Sequence, residues 1–370
     1  MNERAVCKIT SVVNNSVFPT VISALERAGV RYVYSAAGRT AVLDQRRGWY
    51  SAFRPGPSLS DDPVHVVRFF VDHAVEEAVM ALLVQYARLQ NPGMGSIYSE
   101  DAIIAKSHPF CRETLELQDM LPPAKLYRDL VGVCCIVQRG EGDVLCRAAL
   151  EAGAVPTVTY GIGTGIRDKL GLLRITIPAE KEVITLLTGT TDVSSLLEIL
   201  IETGKLDQPG RGFIYTFPVR QGLIDTRISR GGTAHVASIE QIVTALDHMC
   251  GGMEWRQVGH DQAAVRLRPY FTGIDFSLIC EEVRGPDLVK SAMAAGAPGA
   301  TIEQLKIVND CGIDKISPAR VSCRMVVPQE MVANILAAVD RAGAFDDVSH
   351  GIVVQSPIPR AFTYLPKRDG

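Results

Sequence analysis

The feature that most constrains the fold is a short segment that occurs three times in the chain. Residues 87–98 read ARLQNPGMGSIY and residues 204–215 read GKLDQPGRGFIY, so that Leu, Pro, Gly, Gly, Ile and Tyr coincide without a gap. Residues 343–354, GAFDDVSHGIVV, keep the glycine and β-branched positions but lack the proline. Because self-similarity along a chain is the signature of a repeat architecture, the sequence predicts three equivalent units.

Further landmarks recur in the same order within each unit. An apolar strand is followed by a helix ending in Ala-Gly, a glycine-bearing loop, a second apolar strand, a second helix, the repeated loop and a closing strand. Pro178 and Pro328 are expected in the first turn of the second helix. This alternation predicts the α+β fold class, as three tandem ferredoxin-like βαββαβ units. The expected boundaries are unit 1 at 1–102, a linker at 103–127, unit 2 at 128–228, a linker with a helix at 229–263, and unit 3 at 264–370.

Composition excludes several classes of protein. Of the 370 residues 47% are hydrophobic, and the net charge of -3 argues against nucleic-acid binding. Since there is no run of about 18 apolar residues, we expect no membrane insertion. The nine cysteines are an odd number without a CxxC pair, which is typical of free thiols in a reducing compartment. We therefore expect a cytoplasmic protein.

The second copy of the repeated loop is the main candidate for a binding site. A glycine-rich loop lets backbone N–H groups approach a phosphate closely, and the flanking residues add a hydroxyl and two cations. The residues expected to bind a ligand here are Thr203, Gly204, Lys205, Gly210, Arg211 and Gly212. The alternative, that the glycines form only a tight turn into a strand, stays open.

A second glycine-dense stretch, residues 159–171, is expected to form a wall of the same cleft. It precedes the segment LLRITI and offers flexible backbone, a hydroxyl and two cations to an anion. The residues proposed for this role are Gly163, Thr164, Gly165, Arg167 and Lys169.

The other two copies of the loop are chemically different. The first copy keeps an arginine and two glycines and marks a second candidate cleft, with Arg88, Gly93 and Gly95. The third copy carries Asp346, Asp347 and His350, so its lost positive charge makes it unsuited to a polyphosphate.

Residues 36–62 are expected to form a long loop in the first unit. Aromatic and arginine side chains are enriched in interface hot spots, and this segment contains both. The residues expected to dock a partner protein are Arg46, Arg47, Trp49, Tyr50 and Phe53. A surface loop without a partner is the alternative.

The second unit resembles the PII nitrogen-regulatory signalling superfamily. Its segments RITIPAEKEV, LLEILIETGK and GRGFIYTFPV follow the PII order of strand, helix, Thr-Gly-Lys, glycine-rich loop and strand. PII proteins are homotrimers of ferredoxin-like subunits that bind ATP or ADP between subunits and dock a long loop onto a partner. The resemblance implies three PII-like units in an intramolecular pseudo-trimer, with ATP, ADP or AMP as candidate ligands and no metal beyond nucleotide-bound Mg²⁺.

The resemblance also implies roles for three further arginines. Gly38 and Arg39 resemble the base of the long PII loop, which places Arg39 beside the second candidate cleft. Arg227 and Arg230 would correspond to the phosphate-facing arginines near the PII C-terminus. The family's lysine before the closing strand is replaced by Phe213, with Arg211 as a substitute.

The leading hypothesis is a regulatory protein that binds an adenine nucleotide or another small anionic metabolite and controls a partner protein. The sequence contains none of the GxSxG, HExxH or Cys/His catalytic motifs, so an enzyme is the less favoured alternative. A structural subunit of a larger complex is the third hypothesis. No metal-binding residues are predicted.

Overall fold

The computed structural model describes residues 3–45, 58–108, 124–165, 180–230, 249, 268–309 and 317–364. The order strand, helix, strand, strand, helix, strand occurs three times. The first segment comprises β1 (Arg4–Asn14), α1 (Phe18–Arg27), β2 (Val33–Asp44), β3 (Ser58–Val71), α2 (Glu76–Tyr86) and β4 (Gly95–Ser107). The second segment comprises β5 (Leu130–Gln138), α3 (Gly142–Glu151), β6 (Thr157–Gly165), β7 (Glu180–Gly189), α4 (Val193–Gly204) and β8 (Gly212–Pro218), followed by β9 (Gln221–Leu223) and β10 (Ser229–Arg230). The third segment comprises β11 (Phe271–Glu281), α5 (Gly285–Ala294), β12 (Gly299–Asn309), β13 (Ala319–Val327), α6 (Val332–Arg341) and β14 (Ile352–Thr363).

The predicted fold class, α+β with three tandem ferredoxin-like units, is wrong. Strands account for 48% of the described residues and helices for 26%, and the 14 strands of this part of the chain belong to one continuous sheet. Ten of them close an antiparallel barrel in the order β2-β3-β1-β4-β14-β8-β5-β7-β6-β12, and β12 pairs back onto β2. The physical reason is that the edge strands of a separate sheet would carry unpaired N–H and C=O groups. Here the edge strands of the three segments pair with one another, so the segments share one sheet.

The chain at the end of each segment pairs with the closing strand of another segment, in a cyclic order. The end of β4 pairs with the start of β14, and the end of β14 pairs with β8. The short strand β9, which follows β8, pairs in turn with β4. Each copy of the repeated loop precedes one of these strands, so each copy lies beside chain from another segment.

Alternation along the strands separates a helix-side core from the opposite face of the sheet. In β1, Cys7 and Ile9 lie in one core with residues of α1 and α2, whereas Val6 belongs to a cluster on the other face. The adjacent Cys134 and Cys135 of β5 also lie in different cores. The side chains of these two adjacent cysteines therefore point to opposite faces of the sheet.

The face opposite the helices carries a buried network of charges. Arg68 Nη1 donates to Glu303 Oε2 at 2.6 Å, and Arg324 Nη1 donates to the Tyr215 hydroxyl at 3.1 Å. Burial raises the pKa of Glu303, but the guanidinium groups of Arg68 and Arg324 outweigh burial and hold that pKa below its ordinary value. Because these residues come from β3, β8, β12 and β13, the network joins all three segments.

Some local predictions are wrong and others lie outside the described residues. The second helix of the second unit was expected to begin at Pro178, but β7 begins at Glu180 and α4 begins only at Val193. Most of the predicted long loop, residues 36–44 and 58–62, lies in β2 and β3, which pair with each other. Pro328 does stand directly before the 3-10 turn that opens α6. The predicted linker helix falls outside the described residues, and the domain boundaries stay predictions.

Candidate ligand-binding cleft

The second copy of the repeated loop is a turn between α4 and β8. Thr203 and Gly204 close the last turn of α4, and Lys205 adopts the left-handed conformation (φ 51°) that ends the helix. Gly212 has φ +154°, and a Cβ at this position would lie 2.6 Å from the Ile136 carbonyl oxygen. Glycine is therefore required here by the geometry of the turn.

Arg211 and two carbonyl oxygens of this second loop are already engaged within the chain. Arg211 Nη1 donates to Glu141 Oε1 at 2.6 Å, at the start of α3. The Gly210 carbonyl oxygen accepts a hydrogen bond at 2.9 Å from the glutamine side chain that ends β5. The Gly212 carbonyl oxygen accepts one at 2.9 Å from Thr363 Oγ1 at the end of β14. These contacts support the turn interpretation of the second loop.

The glycine-dense stretch predicted as a wall of that site is part of a strand. Gly163, Thr164 and Gly165 lie in β6 and pair with the first residues of β12 in the third segment. Arg167 and Lys169 lie outside the described residues. The described part of this stretch therefore joins two segments of the sheet.

The first copy of the loop is where the predicted glycines and arginines meet. Asp225 Oδ1 accepts the backbone N–H of Gly93 at 2.8 Å and that of Arg227 at 2.9 Å. The Arg227 guanidinium lies directly against Gly93, since a Cβ there would be 2.1 Å from Arg227 Cζ. At Gly95 a Cβ would lie 1.8 Å from the Val12 carbonyl oxygen. Arg227, which the sequence grouped with the second loop, thus lies at the first.

Asp62 holds two arginines side by side at this position. Its two carboxylate oxygens contact a guanidinium nitrogen of Arg227 and one of Arg230. The arginine side chains are 29% and 27% exposed, so an anion in solvent can reach them. Their Nε atoms are buried and have no hydrogen-bond partner among the described residues. The two arginines, named here the arginine pair, form a preformed and partly exposed cationic group.

Asp225 already occupies the backbone donors of the first loop. Burial raises its pKa, although the backbone N–H groups of Arg227, Gly93 and Gly95 act in the opposite direction. Successive N–H groups that converge on one carboxylate form the kind of concavity that binds anions. The first loop therefore shows anion-binding geometry, with an internal carboxylate in place.

A cleft that is partly open to solvent extends from this loop between the first and second segments. Gly95 and Asp225 line one end of it. Hydroxyl groups from both segments line much of the remainder, from Thr10, Thr40, Tyr98, Thr157, Thr159 and Thr185. The buried Thr40 Oγ1 has no hydrogen-bond partner in the described part of the chain. Arg68, which is paired with Glu303, also lines the cleft. The arginine pair lies next to Asp225 at the edge of the cleft and is not part of its lining.

Arg39 and Arg88, predicted for the same cleft, do not line it. Arg39 donates to Asp61 at 2.6 Å and to Asp143 at 2.7 Å, which ties β2 to α3. Burial lowers the pKa of Arg39, but the hydrogen bonds to these two carboxylates outweigh burial and raise it. Arg88 is exposed after α2 and has φ 55°.

Sequence reasoning missed the two carboxylates that organise the site. Asp225 lies two residues before Arg227, a spacing at which Asp commonly accepts the backbone N–H that follows it, so a local signal existed. No local signal pointed to Asp62, because Asp62 and Arg227 are 165 positions apart in the chain. The predicted docking residues Arg46, Arg47, Trp49, Tyr50 and Phe53 lie outside the described residues.

Comparisons with known proteins do not identify a family. No protein-family model matches the chain, and no curated protein matches it. Among solved structures, the chain is similar to the crystal structure of aspartate kinase from Synechocystis, with 11% identity and a TM-score of 0.19, over 92% of this chain and 56% of that chain. The chain therefore spans 56% of the kinase chain's length, and the likeness carries no argument. None of the helices in the described ranges is long and apolar enough to cross a membrane. The PII resemblance stays a prediction.

Proposed function

We propose that the protein is a cytoplasmic regulator that binds a small anionic metabolite in the cleft between the first and second segments. The observation that carries this proposal is the arginine pair, which lies against Gly93 and next to Asp225, a residue of the cleft wall. The cysteines of the described residues are buried free thiols, which is compatible with a reducing compartment.

The arginine pair and the polar lining of the cleft favour a small polar anion as the ligand. The planar guanidinium groups of Arg227 and Arg230 suit a phosphate or carboxylate, which they bind through paired hydrogen bonds. The hydroxyl-lined walls suit a sugar or a base. ATP, ADP and AMP are the candidates that the PII resemblance implies, and 2-oxoglutarate is a smaller anion of the same charge class.

Ligand binding would reach the predicted docking residues through β10. This strand contains Arg230 and pairs in parallel with the end of β2, and the Gln45 backbone N–H donates to the Arg230 carbonyl oxygen at 2.8 Å. The predicted docking residues begin at the next position, Arg46. An anion that draws Arg230 away from Asp62 would therefore act on the strand end that precedes them.

Isothermal titration calorimetry with ATP, ADP, AMP and 2-oxoglutarate tests the proposal. We expect binding of at least one of them, weakened roughly 10- to 100-fold by Arg227→Ala, because a hydrogen bond to a charged group contributes about 1.5–3 kcal/mol. The matched control is Arg211→Ala at the second loop, which should leave the affinity unchanged. Asp62→Asn should strengthen binding, because it removes the carboxylate that competes for the arginine pair.

Three outcomes would contradict parts of the proposal. Folded protein that gives no heat with any of the four compounds excludes this ligand class. Affinity lost in Arg211→Ala but retained in Arg227→Ala moves the site to the second loop. Partner proteins still captured after deletion of residues 46–57 remove the docking role. Chromatography of the titrated ligand checks the enzyme alternative, which requires a product to form.

A further inference from the structure

Three side chains that can ligate a metal meet where the first segment contacts the third copy of the loop. His108 directly follows β4, and Asp347 and His350 lie between α6 and β14. His108 Nε2 lies 2.9 Å from Asp347 Oδ1, and the His108 and His350 ring centroids are 4.7 Å apart. One ligand atom from each residue lies within 4.8 Å of the other two.

Backbone contacts hold the two histidines in place from both segments. The His108 N–H donates to the Gly351 carbonyl oxygen at 2.8 Å, and the His350 N–H donates to the Asp346 carbonyl oxygen at 2.9 Å. His350 has φ 44°, in the left-handed region. Asp346 Oδ1 also accepts the Ser349 N–H at 2.7 Å. The loop therefore has a defined conformation without an ion.

We propose that His108, Asp347 and His350 form a binding site for a divalent transition-metal ion of the zinc class, with water as the fourth ligand. Zn²⁺ takes imidazole nitrogen and carboxylate oxygen at about 2.0–2.2 Å in a tetrahedron, which places neighbouring ligand atoms about 3.3–3.5 Å apart. The three ligand atoms lie within 4.8 Å of one another, and the His108 and Asp347 ligand atoms are 2.9 Å apart. The His108 side chain is 13% exposed and that of Asp347 is 96% exposed, so the site has a protein wall on one side and solvent on the other.

Two arginines and two aspartates lie around the site. Arg320, which acts electrostatically on His350, is paired with Glu281 at 2.9 Å, and Arg284 donates to Ser349 Oγ at 3.2 Å. Asp346 and Asp347 make this copy of the loop the acidic one. The feature that makes the third loop unsuited to a polyphosphate therefore favours a metal ion.

A second group, Cys7, His73 and Asp101, also has metal-ligand geometry but is a poorer site. Cys7 Sγ donates to Glu76 Oε2 at 3.2 Å, and burial together with Glu76 raises the pKa of the thiol to about 12. Because metals bind the thiolate, this cysteine is a weak ligand. The guanidinium of Arg220 also donates to Asp101 at 2.8 Å and would repel a cation.

A metal ion at the His108 site would join the end of β4 to the loop that precedes β14. These two strands already pair with each other, so the ion would strengthen the contact between the first and third segments. Binding to the folded state alone stabilises that state by linkage. The site is independent of the cleft at the first loop, and its failure would leave the proposed function untouched.

Titration of metal-free, full-length protein with Co²⁺, followed by competition with Zn²⁺, tests the site. We expect one equivalent of Co²⁺ with visible absorption from a four-coordinate ion, and a rise in Tm with Zn²⁺. His350→Asn removes one ligand but tolerates the left-handed backbone, and His108→Asn removes another. Each should weaken Zn²⁺ binding at least about 100-fold, since even outer-shell changes cost roughly 10- to 100-fold.

The control is His73→Asn in the second group, which should bind Zn²⁺ like the unmodified protein. Asp347→Asn adds a variant at an exposed side chain, where folding is not at risk, and it should also weaken binding. The proposal is overturned if folded protein shows no Co²⁺ absorption. It is equally overturned if His108→Asn, His350→Asn and Asp347→Asn all bind normally, or if only His73→Asn loses the ion.

Discussion

Replacing Glu303 by Gln is expected to destabilise the protein strongly, because the change leaves a buried arginine without its counter-charge. Arg68 donates two hydrogen bonds to Glu303, at 2.6 and 3.4 Å, and the two side chains are only 11% and 6% exposed. Breaking a buried ion pair by removing one partner costs about 3–5 kcal/mol. The amide keeps the shape of Glu303 but not its charge, so the free energy of unfolding should fall by about that amount.

Urea denaturation followed by circular dichroism measures this loss, and two further variants identify its cause. The double variant Arg68→Met/Glu303→Leu removes both charges and should cost less than Glu303→Gln, because neither partner is left buried and unpaired. Glu77→Gln, in the exposed ion pair with Arg128, should leave the midpoint nearly unchanged. The reasoning is refuted if Glu303→Gln costs less than about 1 kcal/mol, or if the double variant costs the sum of its single changes.

Lowering the pH, replacing a glycine and alkylating a cysteine provide three further tests. The pKa of Glu303 in the folded protein is held below its ordinary value of 4.5. The ionised carboxylate therefore stabilises the fold fully above pH 4.5, and this stabilisation should be lost as the pH falls through the lower folded-state pKa. Circular dichroism at decreasing pH measures the loss, and its absence would contradict the interpretation. Gly95→Ala should lower the Tm markedly, because the new Cβ would lie 1.8 Å from the Val12 carbonyl oxygen. Gly153→Ala should lower the Tm less, because no atom lies within 4 Å of a Cβ there. Equal losses of Tm in the two variants would contradict the close approach at Gly95. Cys7, with its pKa raised to about 12, should react with iodoacetamide at pH 8 only after unfolding, and rapid labelling of the native protein, seen by mass spectrometry, would contradict its burial.

The parts of the fold that the sequence predicted are those specified by local chemistry. Each first helix was expected to stop at Ala-Gly, and it does so because the glycine that follows adopts the left-handed conformation that ends a helix. These glycines have positive φ in all three segments, at Gly29, Gly153 and Gly296. Such a stop signal needs no information from elsewhere in the chain.

The parts that the sequence did not predict depend on distant residues. The stretch TVTYGIGTG of β6 has the glycine content of a loop, yet Gly161 allows close packing against β12, where a Cβ would lie 3.0 Å from the Ile302 carbonyl oxygen. Closure of the barrel likewise depends on pairing between segments that are far apart in the chain. No local pattern identifies the partner of an edge strand.

The candidate site illustrates the same limit. The sequence selected Arg227 and Gly93 as ligand-binding residues but assigned them to different clefts. They meet because β9 carries the end of the second segment across to β4 of the first. Residue chemistry was therefore predictable from the sequence, whereas the grouping of the residues was not.

The most direct test of the central claim is a crystal structure of the protein with the compound that gives the strongest calorimetric signal. The anionic group of that compound should lie within hydrogen-bond distance of Arg227 and Arg230, beside Gly93, with Asp62 displaced from the arginine pair. An intact contact between Asp62 and both arginines, with the ligand at the second loop beside Arg211, would contradict the account.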